Sequence, residues 1–225
     1  MPKILIVAAT AAEIAPLLEL GNINVAESKG LFILSGSLQD VFVVITGVGM
    51  VNTAFELGKL IGSHFDLVVN AGLAGSFTRF KTGEVVNVVQ DCFSELGAED
   101  GDHFLSIDEM GFGQQTLRLN NLFSNEYTAS FAQTNGITVN TVHGNAGSID
   151  RVVGKYQPHT ESMEGAAFIH AANAFSWRAI QLRAISNPVE KRNKENWNIS
   201  LAIMNLNKAL TGLIVSAGIR IEDQP

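Results

Sequence analysis

KILIVAATAAEIAPLLEL, residues 3–20, sets two patterns back to back. Residues 3–9 are a short run rich in Ile and Val with no alternation, the signature of a strand covered on both faces. Residues 11–20 then follow a helical pattern, so the pair reads as one strand–helix unit. FVVITG (42–47) with MVNTAFELGKLIG (50–62) repeats it, as does AIQLRAIS (179–186) with NISLAIMNLNKALTGLIVSAG (198–218), which Gly218 closes. DLVVNAG (66–72), EVVNVV (84–89) and ITVNTV (137–142) add strands of the same buried type, and EGAAFIHAANAF (164–175) adds a helix. INVAESKGLFILSG (23–36) reads as a hairpin, whereas the polar, Gly- and Asn-bearing stretch 91–135 takes no assignment. Alternation of this kind predicts an α/β fold: three αβα layers around a central mixed, mostly parallel, twisted sheet. No linker, repeat or low-complexity segment interrupts it, so residues 1–225 are expected to form a single domain.

Composition narrows the partners. The chain has 46% hydrophobic and 16% charged residues and a net charge of −7 without a basic block. Its long-range field therefore repels phosphate backbones, which argues against nucleic acid and against an anionic membrane surface. A small molecule is the expected partner. The one cysteine, Cys92, excludes an internal disulfide, and the five histidines lack metal-ligand spacing, so neither a metal nor another cofactor is expected. The N-terminal apolar run is too short to span a membrane and leads into Glu13, which points to a first strand and a cytoplasmic location.

In open α/β sheets ligands sit beyond the C-terminal strand ends. Three such ends are glycine-rich here: TGVGM (46–50), NAGLAGS (70–76) and HGNAGS (143–148). Each is compatible with close backbone approach to a ligand or with a plain tight turn. None fits a dinucleotide fingerprint with its acidic ribose anchor, and none ends as a P-loop does.

Taken in order, Glu13, TGVG (46–49), NAGLAG (70–75), SMEGAA (162–167) and RAISN (183–187) resemble the nucleoside phosphorylase and nucleosidase superfamily over nearly the whole chain. That resemblance implies cleavage of a purine N-glycosidic bond. Such a reaction builds cationic charge on the sugar and negative charge on the leaving base, so the site must stabilise both and deliver a nucleophile. By the resemblance, Glu164 accepts hydrogen bonds from the ribose hydroxyls, with Met163 packed on the sugar. Glu13 acts as general base or orienter for the nucleophile, with Arg183 close to it. Ala74 and Gly75 line the ribosyl pocket, and Val48 touches the base. The plainer readings are a helix-capping Glu164 and a solvated first-turn Glu13.

The superfamily's phosphorylases place phosphate-binding arginines after the first strand and in the following segment, yet no arginine precedes Arg79 here, which favours water as nucleophile. Adenine-directed relatives carry an aspartate where this chain has Asn187. The amide offers a donor and an acceptor side by side: NH2 to O6 of a 6-oxopurine, and C=O from N7–H as hypoxanthine leaves. ISNPVEKRNKENW (185–197) further resembles the futalosine-hydrolysing branch, the menaquinone-pathway enzymes that release hypoxanthine. The resemblance implies a carboxylated aryl group at the 5′ end, with Arg192 as its partner and Trp197 shaping the aryl pocket. The alternative is a solvated helix entry with Trp197 in the core. The segment from Glu95 to Phe112 matches a family region that often reaches a neighbouring subunit, so a homo-oligomer, first a dimer, is expected, with His103 on the surface. Rival readings are a methylthioadenosine/S-adenosylhomocysteine nucleosidase, a 6-oxopurine nucleoside phosphorylase, and a nucleoside-binding or storage protein without turnover.

Overall fold

The computed structural model describes residues 2–20, 23–24, 31–34, 38, 40–77 and 80–218. Strand β1 (Ile4–Ala8) leads through a 3-10 turn (Ala11–Ile14) into α1 (Ala15–Leu20), where Pro16 is tolerated because first-turn amides need no helical partner. There follow β2 (Ile23–Asn24), β3 (Leu31–Leu34), β4 (Val41–Ile45), α2 (Met50–Gly58), β5 (Leu67–Ser76) and β6 (Val85–Phe93). The hairpin β7 (Gly97–Asp100) and β8 (His103–Ser106), then β9 (Thr116–Arg118), β10 (Ala132–Thr138), α3 (Ala146–Tyr156) and β11 (Thr160–Ser162) come next. The chain ends on α4 (Gly165–Ala174), β12 (Ala179–Pro188) and α5 (Ile199–Ser216).

The main sheet is mixed, in the order β11-β10-β6-β12-β5-β1-β4-β3-β2, and β11 also pairs with β5. Strands β5, β12, β6, β10 and β11 therefore close on themselves, while β1, β4, β3 and β2 extend as an open wing. Strands β4, β1, β5 and β12 run parallel, and the barrel closes through antiparallel β12–β6 and β11–β5 pairs.

Both faces of β1 are buried, which explains its unalternating sequence. Ile4, Ile6 and Ala8 join α1 and α5 residues in one core, while Leu5 and Val7 join Leu57, Phe168 and Ile169 from α2 and α4 in another. Each fully buried Ile or Leu contributes about 1.5–3 kcal/mol. Helix α5 is long and apolar enough by composition to cross a membrane. Here Ala202, Leu206, Leu210, Leu213 and Ile214 lie in the first core instead.

Several expectations shift. The predicted 11–20 helix divides into a 3-10 turn and α1, and the strand expected at 137–142 occupies Ala132–Thr138. HGNAGS (143–148) is not merely a glycine turn: Asn145 caps α3 by accepting from Ser148 N at 3.3 Å. The unassigned 91–135 stretch holds β7, β8, β9 and most of β10. The 23–36 hairpin is present as antiparallel β2–β3, and its residues 25–30 and 35–36 lie outside the described set.

Candidate active site

The C-terminal ends of β1, β4, β5 and β12 converge, and the antiparallel β11 brings residues 161–164 to the same place. At the water-facing end of this group, Glu13 is fixed by three donors. Its Oε2 accepts from Thr10 N (2.9 Å) and Thr10 Oγ1 (3.0 Å), and its Oε1 accepts from Leu73 N (3.1 Å). Thr10 and Glu13 form a capping box, so the 3-10 turn itself aims the carboxylate. Arg183, opposite Gly72 in the β5–β12 register, is 1% exposed. A Cβ on Gly72 would meet Arg183 Nη1 at 3.0 Å and Glu13 Oε1 at 3.2 Å, so glycine is what lets the two groups face one another across the strand. Arg183 Nε and Nη2 have no hydrogen-bond partner among the described residues. A buried cation left this short of acceptors costs stability.

Glu164 is the N-cap residue of α4 but makes no side-chain cap. Its Oε1 accepts from Gly49 N at 2.9 Å, tying α4 to the TGVG loop beside half-exposed Val48. The helix is capped by another residue: Thr138 Oγ1 accepts from Ala166 N at 2.7 Å. Thr138 Oγ1 in turn donates to Asp91 Oδ1 (2.9 Å), and Asp91 Oδ2 accepts from Gln181 Nε2 (2.9 Å), whose Oε1 accepts from Asn70 Nδ2 (3.1 Å). Gly165 makes room for this network, since a Cβ there would lie 1.9 Å from Asp91 Oδ2. Met163, half-buried, sits between this helix start and β11.

Burial pushes the Asp91 carboxyl up to about 6, against the lowering pull of its hydrogen bonds and of Arg183. A raised folded-state pKa means that the neutral acid stabilises the fold, fully below about pH 4, and that this contribution is lost as pH rises through about 6. Asp91→Asn keeps a neutral side chain, with the Gln181 and Asn70 amides reversing in turn. Its stability relative to wild type should therefore rise by on the order of 3 kcal/mol between pH 4 and pH 7 in urea unfolding. An unchanged difference would mean that Asp91 is not protonated in the fold.

Asn187 lies at the tip of β12 in register with Gly75. Its Nδ2 donates to Pro188 O (2.8 Å) and its Oδ1 accepts from Ser186 Oγ (2.7 Å). A carbonyl can only accept, so Pro188 O fixes which way the amide points; one amide hydrogen and one lone pair remain for a ligand. An ionised aspartate would set oxygen against that carbonyl. Ala74 is buried just below, its carbonyl 3.3 Å from Ser186 Oγ. Asn187, Gly75, Arg192 and Trp197 line one cavity of about 140 Å³ with His143, Glu161 and Glu190. Whole-ligand pockets run about 300–1,000 Å³, so this is a subsite. Arg192 Cζ lies 4.9 Å from the Trp197 ring centroid at its rim, and Trp197, half-buried, belongs to no core cluster.

In sequence comparison, the model of the Phosphorylase superfamily matches residues 3–217. The chain belongs to the Phosphorylase superfamily. Curated relatives of this superfamily member include a futalosine hydrolase of Streptomyces coelicolor, 32% identical over 159 residues, 67% of this chain and 66% of that one, just under two thirds. A futalosine hydrolase of Thermus thermophilus is 28% identical over 183 residues, 77% of this chain and 80% of that one. Among solved structures, the Helicobacter pylori MTAN-D198N mutant with 5′-methylthioadenosine shares the fold at a TM-score of 0.79 and 18% identity, covering 96% of this chain and 99% of that one.

Five polar residues of this superfamily member escape sequence reasoning: Asp91, Thr138, Gln181, His143 and Glu161. Asp91 and Gln181 are polar side chains within buried strands, and His143 opens the glycine-rich HGNAGS stretch, but nothing local joins them. Cys92 is buried, and its thiol is pushed up to about 11, so it is no nucleophile. His103 is exposed and lines the groove between the β7–β8 hairpin and α3, which shares His143 with the Asn187 cavity. Among the described residues no cluster of three metal-binding side chains occurs.

Proposed function

We propose that this chain is an N-glycosyl hydrolase that cleaves futalosine with water, releasing hypoxanthine and dehypoxanthine futalosine. The observation that carries the reading is Asn187, its amide fixed by the Pro188 carbonyl and opening on the cavity that Arg192 and Trp197 border. The futalosine hydrolase relatives support the same choice of substrate.

Position along β5 divides the work. Glu13 is bound at Leu73 and Asn187 pairs with Gly75, two residues on, which separates the two ends by about 7 Å. A ribose fits that span, with water at one end and the base at the other. Glu13 takes a proton from water, and Arg183 holds the water's oxygen as it attacks C1′. Glu164 accepts from the ribose hydroxyls and balances the cationic sugar, with Met163 against the ring and Val48 and Ala74 bordering sugar and base. As C1′–O forms and C1′–N9 breaks, the departing base takes a proton at N7 from solvent, and the Asn187 amide donates to O6 and accepts from that N7–H. The presence of both Glu13 and Glu164 argues for turnover over mere binding, because a binder needs no proton acceptor beside a buried arginine.

In a β-nucleoside the base and the 5′ substituent rise from the same face of the sugar, so a cation at the rim of the base cavity is within reach of a 5′ carboxylate. Arg192→Ala should lower kcat/KM for futalosine about 10–100-fold and leave inosine unchanged. Equal losses on both would remove the carboxylate role. A cytoplasmic location and a homo-oligomer belong to the same reading.

A further inference from the structure

Strand register places a second polar group opposite Asn187. Gly75 pairs with Asn187 on β12 and with Glu161 on β11, so the two flank it at roughly 10 Å, two strand spacings. Glu161 is 4% exposed, and a buried carboxylate is costly unless something needs it. Both its oxygens go to one residue. Oε1 accepts from His143 N at 2.9 Å, and Oε2 contacts His143 Nδ1. Phe77 meets the same ring edge-on at 6.4 Å between centroids. The ring is thus held in position and in tautomer: with the proton on Nδ1, shared with Glu161, the neutral imidazole has its lone pair on Nε2. No hydrogen bond forms at Nε2 among the described residues, and His143 lines the Asn187 cavity.

We propose that His143, positioned by Glu161, reads the N1 edge of the purine: Nε2 accepts from the N1–H of a 6-oxopurine. This rests on the nucleosidase reading above, with the base between Asn187 and His143. Hypoxanthine carries a donor at N1, whereas adenine carries a lone pair there. Nε2 therefore pairs with the first and repels the second, and Asn187 and His143 together grip opposite sides of O6. Glu161 acts through His143 and is a positioning residue.

The test is base binding by calorimetry, with hypoxanthine and adenine as probes, on wild type and His143→Ala. Because His143→Ala leaves Glu161 buried beside a lost partner, a His143→Ala/Glu161→Gln double variant is measured alongside and carries the test if the single variant is unfolded. Wild type should prefer hypoxanthine. The variant should bind hypoxanthine about 10–100-fold more weakly with adenine binding unchanged or tighter. Glu161→Gln alone, which frees the tautomer, should lose part of the preference. Equal weakening for both bases, or no change for either, would overturn the proposal. Failure of wild type to hydrolyse futalosine would instead strike the functional reading, and the base preference would still report on His143.

Discussion

Glu13→Gln is expected to lower kcat for nucleoside hydrolysis by about 10²–10⁴-fold, the usual contribution of a positioned general base, with the fold and ligand affinity little changed. Glutamine keeps the shape of the side chain, and its carbonyl can keep the bond from Thr10 N at the cost of the one from Leu73 N, a loss of about 1–3 kcal/mol. What it cannot do is take a proton from water. Binding of hypoxanthine, measured on the same preparation, should be retained. A variant that loses binding and turnover together would show that the carboxylate holds the turn rather than the nucleophile.

Arg183→Met is expected to separate stability from activity. Arg183 is 1% exposed, and two of its nitrogens lack a hydrogen-bond partner among the described residues. Replacing an imperfectly paired buried charge with an apolar side chain of similar length is commonly neutral or stabilising by about 1–4 kcal/mol. Turnover should nonetheless fall by about 10²–10³-fold, the scale for removing a donor aimed at the reacting oxygen. Thermal unfolding and kcat on one variant give both numbers. A fall in Tm with little change in kcat would make Arg183 structural.

The layered fold was legible because its central strands are buried: ILIVA and VFVVI are unbroken apolar runs, and AIQLRAIS is one interrupted only by Gln181 and Arg183 before it ends at Ser186. Helix α3 was not, since GSIDRVVGKY carries two glycines and takes its order from the Asn145 cap and from packing around Val152. β7, β8 and β9 were hidden for a similar reason, being short and polar. Within the site, Glu13, Glu164 and Asn187 stood in local motifs. The Asp91–Thr138–Gln181 network and the His143–Glu161 pair draw residues from four strands and a loop, brought together by the pairing of β6 with β10 and β12 and of β10 with β11. Register of that kind leaves no local pattern. It also changes the meaning of a motif residue: Glu164 looks like a helix cap in sequence, yet Thr138 does the capping and leaves the carboxylate to the TGVG loop.

The central claim is hydrolysis of a 6-oxopurine nucleoside at this site, and base release from a substrate panel tests it most directly. The protein is incubated with futalosine, inosine, guanosine and methylthioadenosine, with and without phosphate, and the free base is identified by chromatography. The account predicts hypoxanthine from futalosine at a rate indifferent to phosphate. Preferential release of adenine from methylthioadenosine, release that requires phosphate, or no release from any of the four would contradict it.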